Sequence, residues 1–157
     1  MAKAGYSVTT GAAVALSAAT PKTILFALAP AQFGMDLRGF TLSLDGATST
    51  ATPAFWELCT LTGATNSTPG TGNSTATVLQ EYGRAITAGF VAGYAATSEP
   101  TVLAAIDGDY IPVFNGLVIR DWPFNAGPDN DVSRGFAIRV TSPATVNARA
   151  TFRFERC

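Results

Sequence analysis

The longest regular pattern in the chain occupies residues 135–156. Phe136, Ile138 and Val140 alternate with Ala137, Arg139 and Thr141, and after Ser142-Pro143-Ala144-Thr145 a second series begins. There Val146, Ala148, Ala150, Phe152 and Phe154 alternate with Asn147, Arg149, Thr151, Arg153 and Glu155. A period of two means strands with one buried and one wet face. The Ser-Pro break reads as a turn, which predicts a β-hairpin. Residues 37–44 repeat the alternation, with Phe40, Leu42 and Leu44 inward. Residues 23–29 are apolar almost throughout and stop at Pro30, the pattern of a strand buried on both faces. Segments 55–61, 77–82 and 90–95 read as further strands. Asp107-Gly108 and Asn115-Gly116 predict tight turns on either side of residues 109–114, because both pairs tolerate positive φ. Pro112 confines that middle segment to a sheet edge or a bulge.

The count comes to about eight to ten short strands, and no stretch has a 3.6-residue period. That pattern predicts an all-β protein, a jelly-roll-like β-sandwich first and an immunoglobulin-like sandwich as the alternative. Residues 1–20 read as an N-terminal arm or edge strand and 21–157 as a single sandwich domain. Two polar stretches, 63–76 and 121–134, are predicted surface loops of a length that is usually functional or disordered.

Composition changes this picture in one respect. Only 13% of the 157 residues are charged, about half of the usual share. A surface built from Ala, Ser, Thr and Gly suits burial against neighbouring subunits. The net charge of −1 offers no field to draw nucleic acid or an acidic membrane. Eight of the ten cations are Arg, and six of those lie from Arg120 onward. Guanidinium suits a paired, partly buried geometry better than ammonium does. Arg139, Arg149 and Arg153 are therefore the candidate subunit interface, with a solvated strand face as the alternative reading.

Catalytic chemistry is hard to assemble from these residues. There is no histidine, the usual general base and metal ligand. Nothing can then activate Ser or Cys in the usual way. The only close carboxylate pairs, Asp107/Asp109 and Asp129/Asp131, stand in turn sequences, where Asp bonds its own backbone. Asp129-Asn130-Asp131 lacks the full pattern of a Ca²⁺ loop. Cys59 and Cys157 read as a packed thiol and a frayed end rather than a bridge. Asn66-Ser67-Thr68 and Asn73-Ser74-Thr75 match the glycosylation sequon and read as loop composition. Trp56, Trp122, Tyr82, Tyr94 and Tyr110 are candidates for a sugar platform, or for core. The chain is expected to be no enzyme and to need no cofactor or metal. No run approaches the roughly 18 apolar residues of a membrane span. Gly5, Ser7, Thr9, Thr10 and Gly11 break the only segment reminiscent of a secretory leader, so synthesis and retention in the cytoplasm are expected.

Several segments together resemble a known group: Phe26-Ala27-Leu28-Ala29-Pro30, Asp36-Leu37-Arg38-Gly39-Phe40, Glu57-Leu58-Cys59, Ser98-Glu99-Pro100-Thr101-Val102-Leu103, Gly135-Phe136-Ala137-Ile138-Arg139 and Asn147-Ala148-Arg149-Ala150-Thr151. The chain resembles, over residues 23–156, capsid decoration (cement) or head-auxiliary proteins of tailed bacteriophages. The resemblance is one of texture and carries no diagnostic motif. It implies a jelly-roll-like subunit, usually trimeric, on the outer surface of the virion, made in the host cytoplasm and bound to the major capsid protein. The alternative is a carbohydrate- or receptor-binding sandwich of a tail fibre, which needs exposed aromatics in one concave patch. A hydrolase working through carboxylates alone ranks last.

Overall fold

A computed structural model describes residues 4–47, 51–63, 66–123 and 125–157. Of the segments predicted as an arm and as loops, residues 1–3, 64, 65 and 124 lie outside the described residues. The strands in chain order are β1 (Gly5–Thr9), β2 (Val14–Leu16), β3 (Pro21–Leu28), β4 (Met35–Leu44), β5 (Ala54–Leu61), β6 (Ser74–Ala76) and β7 (Val78–Tyr82). They continue with β8 (Val91–Tyr94), β9 (Leu103–Ile111), β10 (Leu117–Asp121), β11 (Asp129–Asn130), β12 (Gly135–Thr141) and β13 (Val146–Arg156). Thirteen described strands replace the eight to ten predicted, because β2, β6 and β11 are two or three residues long and leave no periodic trace.

Two antiparallel sheets pack face to face. Sheet one runs β10-β4-β13-β1-β7, with β11 beside β4 and β2 beside β13. Sheet two runs β6-β8-β3-β12-β5-β9. The protein is an all-β sandwich, and β3, β4 and β5 alternate between its sheets. Inward side chains of both sheets form one core, from Phe40, Phe152 and Phe154 on one side to Trp56, Phe136 and Ile138 on the other.

The predicted hairpin is not formed. β12 lies between β3 and β5 in sheet two, while β13 lies between β4 and β1 in sheet one. The Ser-Pro segment crosses the core instead of turning back. It is pinned to the β2–β3 connection, where the Ala19 N–H donates to the Ser142 carbonyl at 2.7 Å. Phe136 and Ile138 therefore face Phe152 and Phe154 across the sandwich. A period of two fixes which side of a strand is wet, and it is silent on which sheet the strand joins.

Asp107-Gly108 is not a turn either. It lies inside β9, which pairs with β5 along its whole length, with Ile106 as a bulge. Asn115-Gly116 does turn the chain. Asn115 has φ +49°, and Gly116 leaves no room for a β-carbon beside the Pro112 carbonyl. This turn carries β9 of sheet two into β10 of sheet one. Both are edge strands, and Pro112 lies just past the end of β9, outside the ladder. Within the segment predicted as an arm or edge strand, β1 sits inside sheet one between β13 and β7 with Tyr6 and Val8 in the core, whereas β2 pairs with β13 alone.

Residues 23–29 are buried on both faces, as expected, with help from a bulge. Leu25 pairs with Ile138 and Thr23 with Arg139, so Ile24 is the extra residue. Ile24 and Leu25 both reach the core, and Phe26 and Leu28 face outward into a second cluster with Leu61 and Ala137.

Candidate functional site

The three arginines of the predicted interface do not share a face. Arg139 stands on the outer face of sheet two, between core residues Ile138 and Val140. Arg149 and Arg153 stand on the outer face of sheet one, on the far side of the core. The Arg139 Nε–H donates to Glu57 Oε2 at 2.8 Å, from the neighbouring strand. That bond raises its pKa above the usual guanidinium value, so its charge is already used inside the chain. Arg153 approaches Asp121 at 3.9 Å with 43% of its side chain exposed. Arg149 is exposed on the same strand as Arg153. Of the three candidates, only Arg149 and Arg153 share a face.

That pair belongs to a flat surface built by cross-strand register. One row reads Ile119, Thr41, Thr151, Thr9 across β10, β4, β13 and β1. Adjacent rows read Leu117, Ser43, Arg149 and Asp121, Gly39, Arg153, Ser7. Thr151 Oγ1 and Thr9 Oγ1 are hydrogen-bonded at 3.1 Å, which leaves the middle of the face short and even. At its β10 margin, Leu117 is 61% and Ile119 58% exposed. Phe114 on the turn, with Ile106 and Tyr110 on β9, continues the apolar side chains around this flank. The sequence contained a signal for this margin. Leu117-Val118-Ile119 is an apolar run on an edge strand, and an edge strand can bury only one of its faces.

Elsewhere the polar side chains serve the fold. The Thr23 N–H and hydroxyl both donate to the Glu99 carboxylate at 2.6 Å, tying segment 97–101 to β3. Asn73 Nδ2 donates to the Thr68 and Thr71 carbonyls at 3.0 and 2.9 Å, and Asn66 Nδ2 donates to the Glu99 carbonyl at 3.1 Å. Both sequon amides are thus occupied in holding the loop before β6. The Asp131 carboxylate accepts from the Val132 N–H and Asn130 Nδ2 donates to the Gly135 carbonyl, so the Asp129–Asp131 segment acts as turn structure. Among the described residues no three His, Cys, Asp or Glu side chains converge to hold a metal ion. At the opposite edge of sheet one the Tyr82 hydroxyl donates to Glu155 Oε1 at 2.5 Å. Burial of that hydroxyl, and then its bond to Glu155, push the phenol up to about 12, although 48% of the residue is exposed. No local pattern announced this contact, because it joins residues 73 positions apart.

Trp56 is fully buried and Trp122 packs against the same core, so neither offers a sugar platform. The cysteines are not bridged. Cys157 is exposed but not frayed, since its backbone exchanges hydrogen bonds with Gly34. Cys59 is buried, and desolvation pushes its thiol up to about 11. The thiolate is the nucleophile. At pH 8, well below that value, Cys59 is therefore protonated as well as inaccessible. A disulfide exchange reagent is expected to titrate one thiol in the native protein and two in denaturant. Rapid reaction of both in the native state would contradict the burial of Cys59.

Comparison with protein-family models finds no match, and neither curated proteins nor solved structures yield a significant one.

Proposed function

We propose that the chain is a structural subunit that decorates a larger protein shell. In the setting that the sequence resemblance implies, that shell is the head of a tailed bacteriophage, and the outer face of sheet one seats on the major capsid protein. The observation that carries this reading is the exposure of Leu117 and Ile119 beside a surface of Thr and Ser whose adjacent rows carry Arg149 and Arg153. Apolar side chains and arginine are enriched where protein surfaces meet, and lysine is depleted there. An even surface of short side chains loses little rotamer freedom when it is covered. The alternative reading, a carbohydrate- or receptor-binding module, has one observation in its favour. Tyr110 is 66% exposed and lies 5.3 Å from the ring of Phe55.

Capsids assembled without this chain, from the particles that encode it, provide the test. The wild-type protein is expected to bind them saturably. Leu117→Asp with Ile119→Asp is expected to weaken binding at least tenfold, roughly, while the circular dichroism stays that of a β protein. Absence of wild-type binding, or binding indifferent to these substitutions, would overturn the reading. Binding to glycans instead, lost in Tyr110→Ala, would move the function to the alternative.

A further inference from the structure

The main paths of the two sheets end in four edge strands, and three of these are protected against pairing with another chain. On β9, Asp107 and Asp109 stand opposite the core residues Leu58 and Trp56, and Ile106 forms a bulge. On β10, Arg120 stands opposite Phe40, reaches over the Trp56 ring and approaches Asp107 at 3.7 Å. Core-facing charges and bulges of this kind block strand addition. The third edge, β6, is only three residues long.

The fourth edge, β7, has little of this protection. Its core-facing residues Val78 and Gln80 are uncharged and pair with Val8 and Tyr6. Its one irregularity is a bulge at Glu81, near the end of the strand. Leu79 is 61% exposed. Beside the strand lies an open groove of about 410 Å³, lined by Ala76, Val78, Thr87, Ala88, Phe90 and Val91. Glu81 and Arg84 are both exposed here, and neither takes part in an ion pair within the described residues.

We propose that a second copy of this chain docks on the β7 edge about a two-fold axis. An isologous contact sets residue i of one copy against residue j of the other, and j against i. Glu81 lies in the bulge near the end of β7 and Arg84, three positions on, in the bend just beyond the strand. A two-fold axis between them gives each charge one opposite partner, so the pair forms twice. A head-to-tail ring would instead set the two charges of one copy against two different neighbours. Leu79, exposed on the outer side of sheet one opposite Ser7, then supplies the apolar contact. This two-fold differs from the threefold that the resemblance implies, and it does not depend on the capsid reading, which uses the opposite flank.

Sedimentation velocity of the full chain tests it over roughly 0.1 to 100 µM. The wild type is expected to be a dimer at the upper end of that range. Glu81→Arg and Arg84→Glu, each alone, are expected to weaken it by about tenfold or more, because each places like charges together twice. The double reversal restores opposite pairs and is expected to return the affinity to within about threefold of wild type. Leu79→Asp removes the dimer, whereas Ile119→Asp on the other flank leaves it intact. A wild type that stays monomeric or forms trimers would overturn the proposal, as would a double reversal no tighter than the single variants.

Discussion

Trp56→Ala is expected to cost about 3–5 kcal/mol, the usual range for removing a large aromatic from a packed core. The indole is fully buried, meets Phe40 edge to face at 5.3 Å between centroids, and lies under the Arg120 guanidinium at 5.6 Å. Its ring thus ties sheet two to β4 and β10. For a domain of this size the loss corresponds to a fall in Tm of roughly 6–20 °C. Trp56→Phe makes the informative contrast. The indole Nε1–H is buried without a hydrogen-bond partner. Phe removes that donor and keeps most of the packing, so its cost is expected to stay below about 1.5 kcal/mol. Thermal unfolding followed by circular dichroism measures both. Equal losses for Ala and Phe would mean that the ring's volume is not what holds this part of the core.

Gly135→Ala is expected to be comparably damaging for a different reason. Gly135 opens β12 and pairs with Leu28 of β3 and Leu61 of β5. A β-carbon there would overlap the Ala27 carbonyl oxygen and approach Ala27 C and Leu28 Cα at 2.8 and 2.9 Å. These are backbone atoms in the middle of a sheet, so no change of rotamer relieves the clash. The ladder itself must spread, at a cost of about 3 kcal/mol, the upper end of ordinary overpacking. A urea titration should show an earlier midpoint with an unchanged slope. An unchanged midpoint would show that β3 and β12 can separate freely.

Much of the inside-outside pattern was legible before any coordinates. Every apolar residue named in the alternation of residues 135–156 is buried, from Phe136 to Phe154. Sheet membership was not legible. β12 and β13 carry the same period, and only the partners they find, β3 and β5 against β4 and β1, set them on opposite sides of the core. The interface prediction inherited that blindness, since strand alternation cannot tell that Arg139 points away from Arg149 and Arg153. The bulge at Ile24 was hidden by the apolar run around it, where every phase looks equally buried. Asp107-Gly108 misled because glycine on an edge strand and glycine in a tight turn leave the same trace. The exposed margin at Leu117 and Ile119 could have been found from the apolar run itself, once β10 was known to be an edge.

The placement of β12 and β13 has a consequence in time. Each is the inner strand of a different sheet, and each joins partners made long before it. β1, at Gly5–Thr9, bonds residues 151–155. A chain growing from its N-terminus therefore holds β3 and β5 without the strand that separates them, and β4 and β1 likewise, until residues 135–156 have been made. Before then neither sheet is continuous, and the surfaces later hidden by Phe136, Ile138, Phe152 and Phe154 have nothing to pack against. Such distant pairings make folding slow and leave incomplete chains prone to aggregate. Synthesis and folding of this protein are thus nearly sequential events, with the last two strands closing both halves of the sandwich together.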